Sequence, residues 1–128
     1  MSDVNNPLDW ASYAEQDWQL ALSIFKRKKT MSIHVCFHAQ QSAEKYLKAL
    51  LIAKNVDFPK THDLSTLNSL CEKSAILTGF SAEKLTILSD HAVVSRYPGE
   101  EPSVEDAREA IEIAKTIRKF SRKWLGIK

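Results

Sequence analysis

The run His34-Val35-Cys36-Phe37-His38-Ala39-Gln40-Gln41-Ser42-Ala43-Glu44-Lys45-Tyr46-Leu47-Lys48 holds a dense set of groups able to do chemistry. Wound as a helix at about 100° per residue, His34, His38, Gln41, Lys45 and Lys48 fall within a wedge of roughly 80°. Two imidazoles, an amide and two ammonium groups in one stripe can hold phosphate oxygens, or pack against a second copy of the chain. A solvated face is the plainer alternative. Gln40 points toward the leucine side, where its amide needs partners to be tolerated. His34 and His38 stand four apart, as in helical zinc pairs. No Glu of the zinc-protease kind lies between them and no nearby carboxylate completes a site, so no metal is expected.

Two further groups sit where helices begin or end. Lys60-Thr61-His62-Asp63-Leu64 places an imidazole beside an acid at a helix start, where backbone N–H groups attract anions. Capping and orienting the loop is the competing role for His62 and Asp63. Arg96-Tyr97-Pro98-Gly99 leaves a helix end in a stiff turn, which aims the guanidinium and the phenol. The competing role there is structural, with Arg96 on helix-terminal carbonyls and Tyr97 in the core.

The elements that must position these groups are helices. Asn6-Pro7 offers a cap and a first-turn proline, and Trp10, Ala14, Trp18, Ala21, Leu22 and Phe25 recur at helical spacing, predicting a first helix to about Lys29. Thr30 or Ser32 caps a second, with Ile33, Cys36, Phe37, Ala43, Leu47, Leu50 and Leu51 inward, ending near Asn55 before Phe58-Pro59. Thr61 or Asp63 caps a third, carrying Leu64, Leu67, Leu70 and Cys71. Ser81 caps a fourth, with Leu85, Leu88 and Ala92 inward. Ser103 and Asp106 form a capping box for a fifth, with Val104, Ala107, Ile111, Ala114, Ile117 and Trp124 inward. That fifth helix is acidic early and basic late, an order that suits the helix dipole. With Lys26-Arg27-Lys28-Lys29, its basic end could instead form a phosphate-binding surface. Nothing alternates with period two. The expected fold class is all-α, an up-and-down bundle of four long helices plus one short helix.

Composition narrows the function classes. The 128 residues, 44% hydrophobic and 27% charged, fit one domain spanning 1–128 rather than a disordered chain. A net charge of +2 excludes a nucleic-acid binder that works by bulk charge alone. No apolar run is long enough to span a membrane and no charged-then-apolar leader opens the chain, so a cytoplasmic protein is expected. Cys36 and Cys71 lack metal spacing and read as reduced, buried thiols.

His38-Ala39-Gln40-Gln41-Ser42-Ala43-Glu44-Lys45-Tyr46-Leu47-Lys48-Ala49-Leu50, then Pro59-Lys60-Thr61-His62-Asp63-Leu64, then Ser95-Arg96-Tyr97-Pro98, together resemble the HEPN family (higher eukaryotes and prokaryotes nucleotide-binding). The resemblance covers nearly the whole chain. It implies a helical bundle that forms homodimers, a minimal nucleotidyltransferase as partner in a toxin–antitoxin-like pair, and nucleotide or RNA as ligand, with no cofactor. Many such proteins are metal-independent ribonucleases whose late Arg, four to six residues, then His supplies the chemistry. Here Arg96 matches, but no histidine follows His91. The resemblance therefore implies a binding role, leaving open an RNase with a non-standard site built on His38 or His91, or a purely structural dimerisation module. The implied cleft is His38, Gln41, Lys45, Lys48, His62, Asp63, Arg96 and Tyr97. Lys45, Lys48 and Arg96 would meet phosphate, His38 and Gln41 a base or ribose, and Tyr97 would stack on a base.

Overall fold

Side-chain caps start four of the five helices found among residues 6–93 and 98–128, the part of the chain that the computed structural model describes. The helices are α1 (Pro7–Phe25), α2 (Ser32–Ala53), α3 (Leu64–Lys73), α4 (Ala82–His91) and α5 (Val104–Leu125). Asn6, Asp63 and Ser81 each accept a backbone N–H from the first turn they precede. Ser103 and Asp106 bond each other's backbone N–H groups in the expected capping box. The second helix differs from expectation: Met31 occupies its cap position without a side-chain bond, and the Thr30 hydroxyl donates back to the Phe25 carbonyl instead.

The all-α class holds, but the lengths do not follow the expected four long helices and one short. Helices α1, α2 and α5 have 19, 22 and 22 residues, while α3 and α4 have 10 each. α3 stops because Ala75 turns left-handed at φ 66°, with the Ile76 N–H returning to the Cys71 carbonyl. Asn55 at φ 57° and Gly126 at φ 76° end α2 and α5 with the same backward bond, from Val56 to Leu51 and from Ile127 to Arg122. In each case the residue after the left-handed one is apolar and packs on the core, as a Schellman ending requires. α1 ends at Phe25 rather than near Lys29, because the exposed run Lys26-Arg27-Lys28-Lys29 would stack like charges along another helical turn.

α2 is the central element and packs on all four other helices. Its expected single apolar stripe is too narrow a description: Val35, Ala39, Tyr46 and Ala49 are buried along with Cys36, Ala43, Leu47, Leu50 and Leu51. The inward residues expected of α5 hold in its middle, but Val104 and Trp124, at its two ends, are 47% and 40% exposed. Glu15 meets Arg118, and Phe25 lies under Arg108, so α1 and α5 run antiparallel. The cationic run after Phe25 therefore lies near the acidic start of α5, and Arg118 is about 15 Å of helix beyond Arg108. A continuous basic surface joining Lys26–Lys29 to the late α5 cations does not form. No described helix is long and apolar enough to cross a membrane.

Candidate functional site

Two edges of the polar wedge on α2 turn to different neighbours. At one edge, His38 Nδ1 lies 2.9 Å from Asp17 Oδ1 and Lys45 Nζ donates to Asp17 Oδ2 at 2.6 Å, tying α2 to α1. At the other edge stands Lys48, with Glu44 about 40° further round the helix. Lys48 Nζ donates to Glu44 Oε2 at 2.9 Å, and His62 Nδ1, from the α2–α3 loop, lies 2.9 Å from Glu44 Oε1. Gln40 has the partners its inward position demands: its amide donates to Glu44 Oε1 at 3.3 Å and to the His62 carbonyl at 3.0 Å. Gln41 donates to the Gln40 side-chain oxygen at 3.0 Å.

The sequence candidates thus gather into two adjoining clusters, one on Asp17 and one on Glu44. His62 joins the second, whereas Asp63 bonds the Ser65 N–H and the Thr66 hydroxyl and caps α3. Arg96 and Tyr97 lie outside the described residues. His34 is exposed at the start of α2. His91 lies 3.0 Å from Glu109 and 3.7 Å from Asp106, bridging α4 to α5. One ligand atom from each of these three residues falls within 4.8 Å of the others, the described group able to hold a metal ion. Cys36 and Cys71 are buried and form no disulfide, and burial pushes the Cys71 thiol up to about 12.

The Glu44 cluster stands between two concavities, and His62 lines both. One, of 440 Å³, is walled by Phe37, Gln40, Gln41, Ser89, Ala92 and Val93. The other, of 630 Å³, is walled by Trp10, Phe58, Lys48, Lys60, Thr61 and Asp57, among others. In the larger one Trp10 meets Phe58 edge-on at 6.3 Å, and Lys48 Nζ lies 5.6 and 5.7 Å from the two ring centres. A cation between aromatic rings, beside an imidazole and a lysine loop, suits a planar base joined to an anion. The sequence offers Trp10 as a helix core position, Phe58 at a helix stop and Lys60 within a loop motif, but none of the three as a site residue, since their convergence is tertiary. Glu44 could have been found: it stands four residues from both Gln40 and Lys48, the spacing at which helical side chains meet.

A third polar group joins α1, α2 and α5 and has a structural character. Arg118 clasps both Glu15 oxygens at 2.7 Å, the Tyr46 hydroxyl donates to Glu15 at 2.6 Å, and Arg122 donates to that hydroxyl at 3.2 Å. Burial pushes the Glu15 carboxyl up, but the hydrogen bonds from Arg118, Tyr46 and Gln19 outweigh it and hold the group at about 2. Burial and the Glu15 carboxylate together raise the Tyr46 phenol to about 12.

Neither curated proteins nor solved structures contain a match to this chain. The family model described as HEPN domain matches residues 8–124, from the first turn of α1 to the last turn of α5. With the matched span holding the central helix and both polar clusters, the chain belongs to the HEPN domain family.

Proposed function

We propose that the protein is a cytoplasmic, homodimeric nucleotide- or RNA-interacting module that works beside a minimal nucleotidyltransferase, in the manner of a toxin–antitoxin pair. The supporting observation is the 630 Å³ concavity where Trp10 and Phe58 offer aromatic surface and Lys48, Lys60, Thr61 and His62 offer donors. A base packs against the rings while phosphate oxygens take Lys60 and, when its ring is protonated at both nitrogens, the His62 imidazole. Lys48 and Lys45 already neutralise Glu44 and Asp17, so their contribution is to keep the cleft from repelling an anion. Arg96 and Tyr97 enter this reading through the family motif alone, as phosphate and stacking contacts.

Titration with adenosine and guanosine nucleotides and short single-stranded RNA, followed by tryptophan fluorescence, tests the reading. Lys60→Ala and Phe58→Ala should each weaken binding roughly tenfold, the worth of one charged or stacking contact. Unchanged affinity in both variants refutes this cavity as the ligand site. Sedimentation showing a strict monomer at micromolar concentration removes the dimeric part, and co-purification with a nucleotidyltransferase encoded next door tests the pairing.

A ribonuclease is the second reading, because His38–Asp17 and His91–Glu109 are imidazole–carboxylate pairs of the kind that move protons. Metal-independent RNA cleavage that is lost in Arg96→Ala would establish it over the binding role.

A further inference from the structure

We propose that His62 is a phosphoryl acceptor: its Nε2 attacks an activated phosphoryl donor of the phosphoramidate or acyl-phosphate class and carries the group as a phosphoimidazole. The inference goes beyond nucleotide binding and stands without it, since it uses only the imidazole and the carboxylate behind it. The His62 side chain is 82% exposed, while the Glu44 side chain that holds its Nδ1 is 4% exposed. A carboxylate oxygen only accepts, so Nδ1 carries the hydrogen, and the neutral form of the ring holds its lone pair on Nε2. No protein group among the described residues bonds Nε2.

The carboxylate is itself held in place. Lys48 takes its other oxygen, and Gln40 bonds both Glu44 and the His62 carbonyl, so ring and backbone are fixed together. The remaining three of the 4 histidines lack this combination. His38 has Asp17 behind it but is only 24% exposed and shares that acid with Lys45. The Nε2 of His91 is taken by Glu109. His34 is exposed, with no carboxylate behind it among the described residues. The exposure of His62 suits an acceptor that meets its donor in line and then presents the group to another molecule, rather than an enclosed catalyst. Lys60 lines the adjoining cavity and offsets the charge of an incoming phosphoryl group, while Lys48 on the same wall is already paired to Glu44 and Asp57 is the acid there.

The step balances with phosphoramidate as donor. The Nε2 lone pair forms the new N–P bond while the P–N bond of the donor, whose nitrogen is already protonated as –NH3+, breaks and releases ammonia. The ring becomes a phosphoimidazolium that keeps the Nδ1 hydrogen on Glu44, whose negative charge faces the new positive one. No redox partner is required.

The test is incubation of the full chain with potassium phosphoramidate, with each histidine followed by peptide mass spectrometry at neutral pH and the ring position by phosphorus NMR. His62 should be labelled at Nε2 roughly tenfold faster than His34, the lower end of what a carboxylate behind a histidine contributes at metal sites. Glu44→Gln should bring His62 down to the His34 rate, with circular dichroism confirming the fold. Equal labelling of His62 and His34 in the unaltered chain overturns the proposal, as does phosphorylation of His62 at Nδ1. That comparison holds even where Glu44→Gln does not fold. A failed nucleotide titration leaves the labelling ratio untouched, so the two readings fail separately.

Discussion

Lys48 and Glu44 are a nearly buried ion pair, and such pairs are most costly when half of one is removed. Glu44→Ala leaves an ammonium group out of water without its carboxylate and takes one of the two acceptors of the Gln40 amide, leaving the His62 carbonyl. It should cost about 3 kcal/mol or more in chemical denaturation, whereas replacing Glu44 and Lys48 together by Leu should cost clearly less. Glu15 gives a pH signature. Its folded pKa, about 2, lies below its ordinary value of 4.5, so its stabilisation is complete above pH 4.5 and is lost as pH falls toward 2. Melting temperature measured against pH should drop across that window. Glu15→Gln should lower the melting temperature at neutral pH and flatten the drop. Much at this scale was legible in the sequence: the wedge on α2, the demand of Gln40 for partners, and His62 as a group of interest. Asp17 and Glu15 were not legible as partners, because their bonds span 21 and 103 residues of chain.

Helix boundaries obey local chemistry more closely than helix lengths do. Caps at Asn6, Asp63, Ser81 and Ser103 are written in the sequence, because a cap needs only its own first turn. Removing the Ser103 hydroxyl in Ser103→Ala should cost about 1 kcal/mol. The endings are less legible where an ordinary residue takes a left-handed backbone. Ala75 does so at φ 66°, exposed and with its Cβ disfavoured. Ala75→Gly should therefore stabilise the chain by about 1 kcal/mol, read as a melting temperature about 4 °C higher.

For the molecule as a whole, the near balance of charge limits how electrostatics can act. With Lys45 and Lys48 already paired to acids, the cleft itself keeps few cations for phosphates, and a net charge of +2 adds little attraction from a distance. RNA affinity plotted against salt on logarithmic axes should fall with a slope of magnitude about 2 or less, as for two or three phosphate contacts. A steep slope would point to a larger basic surface than the antiparallel α1 and α5 allow.

The sequence by itself determined the helical class, most caps, much of the core and the family, because periodicity, capping and motif order are properties of neighbours along the chain. Only the tertiary structure decided that α2 is surrounded on most sides and that its polar wedge divides between Asp17 and Glu44. It also decided that Trp10 and Phe58 close around Lys48. Those outcomes depend on which helix lies against which, and pairing across tens of residues leaves no periodic trace.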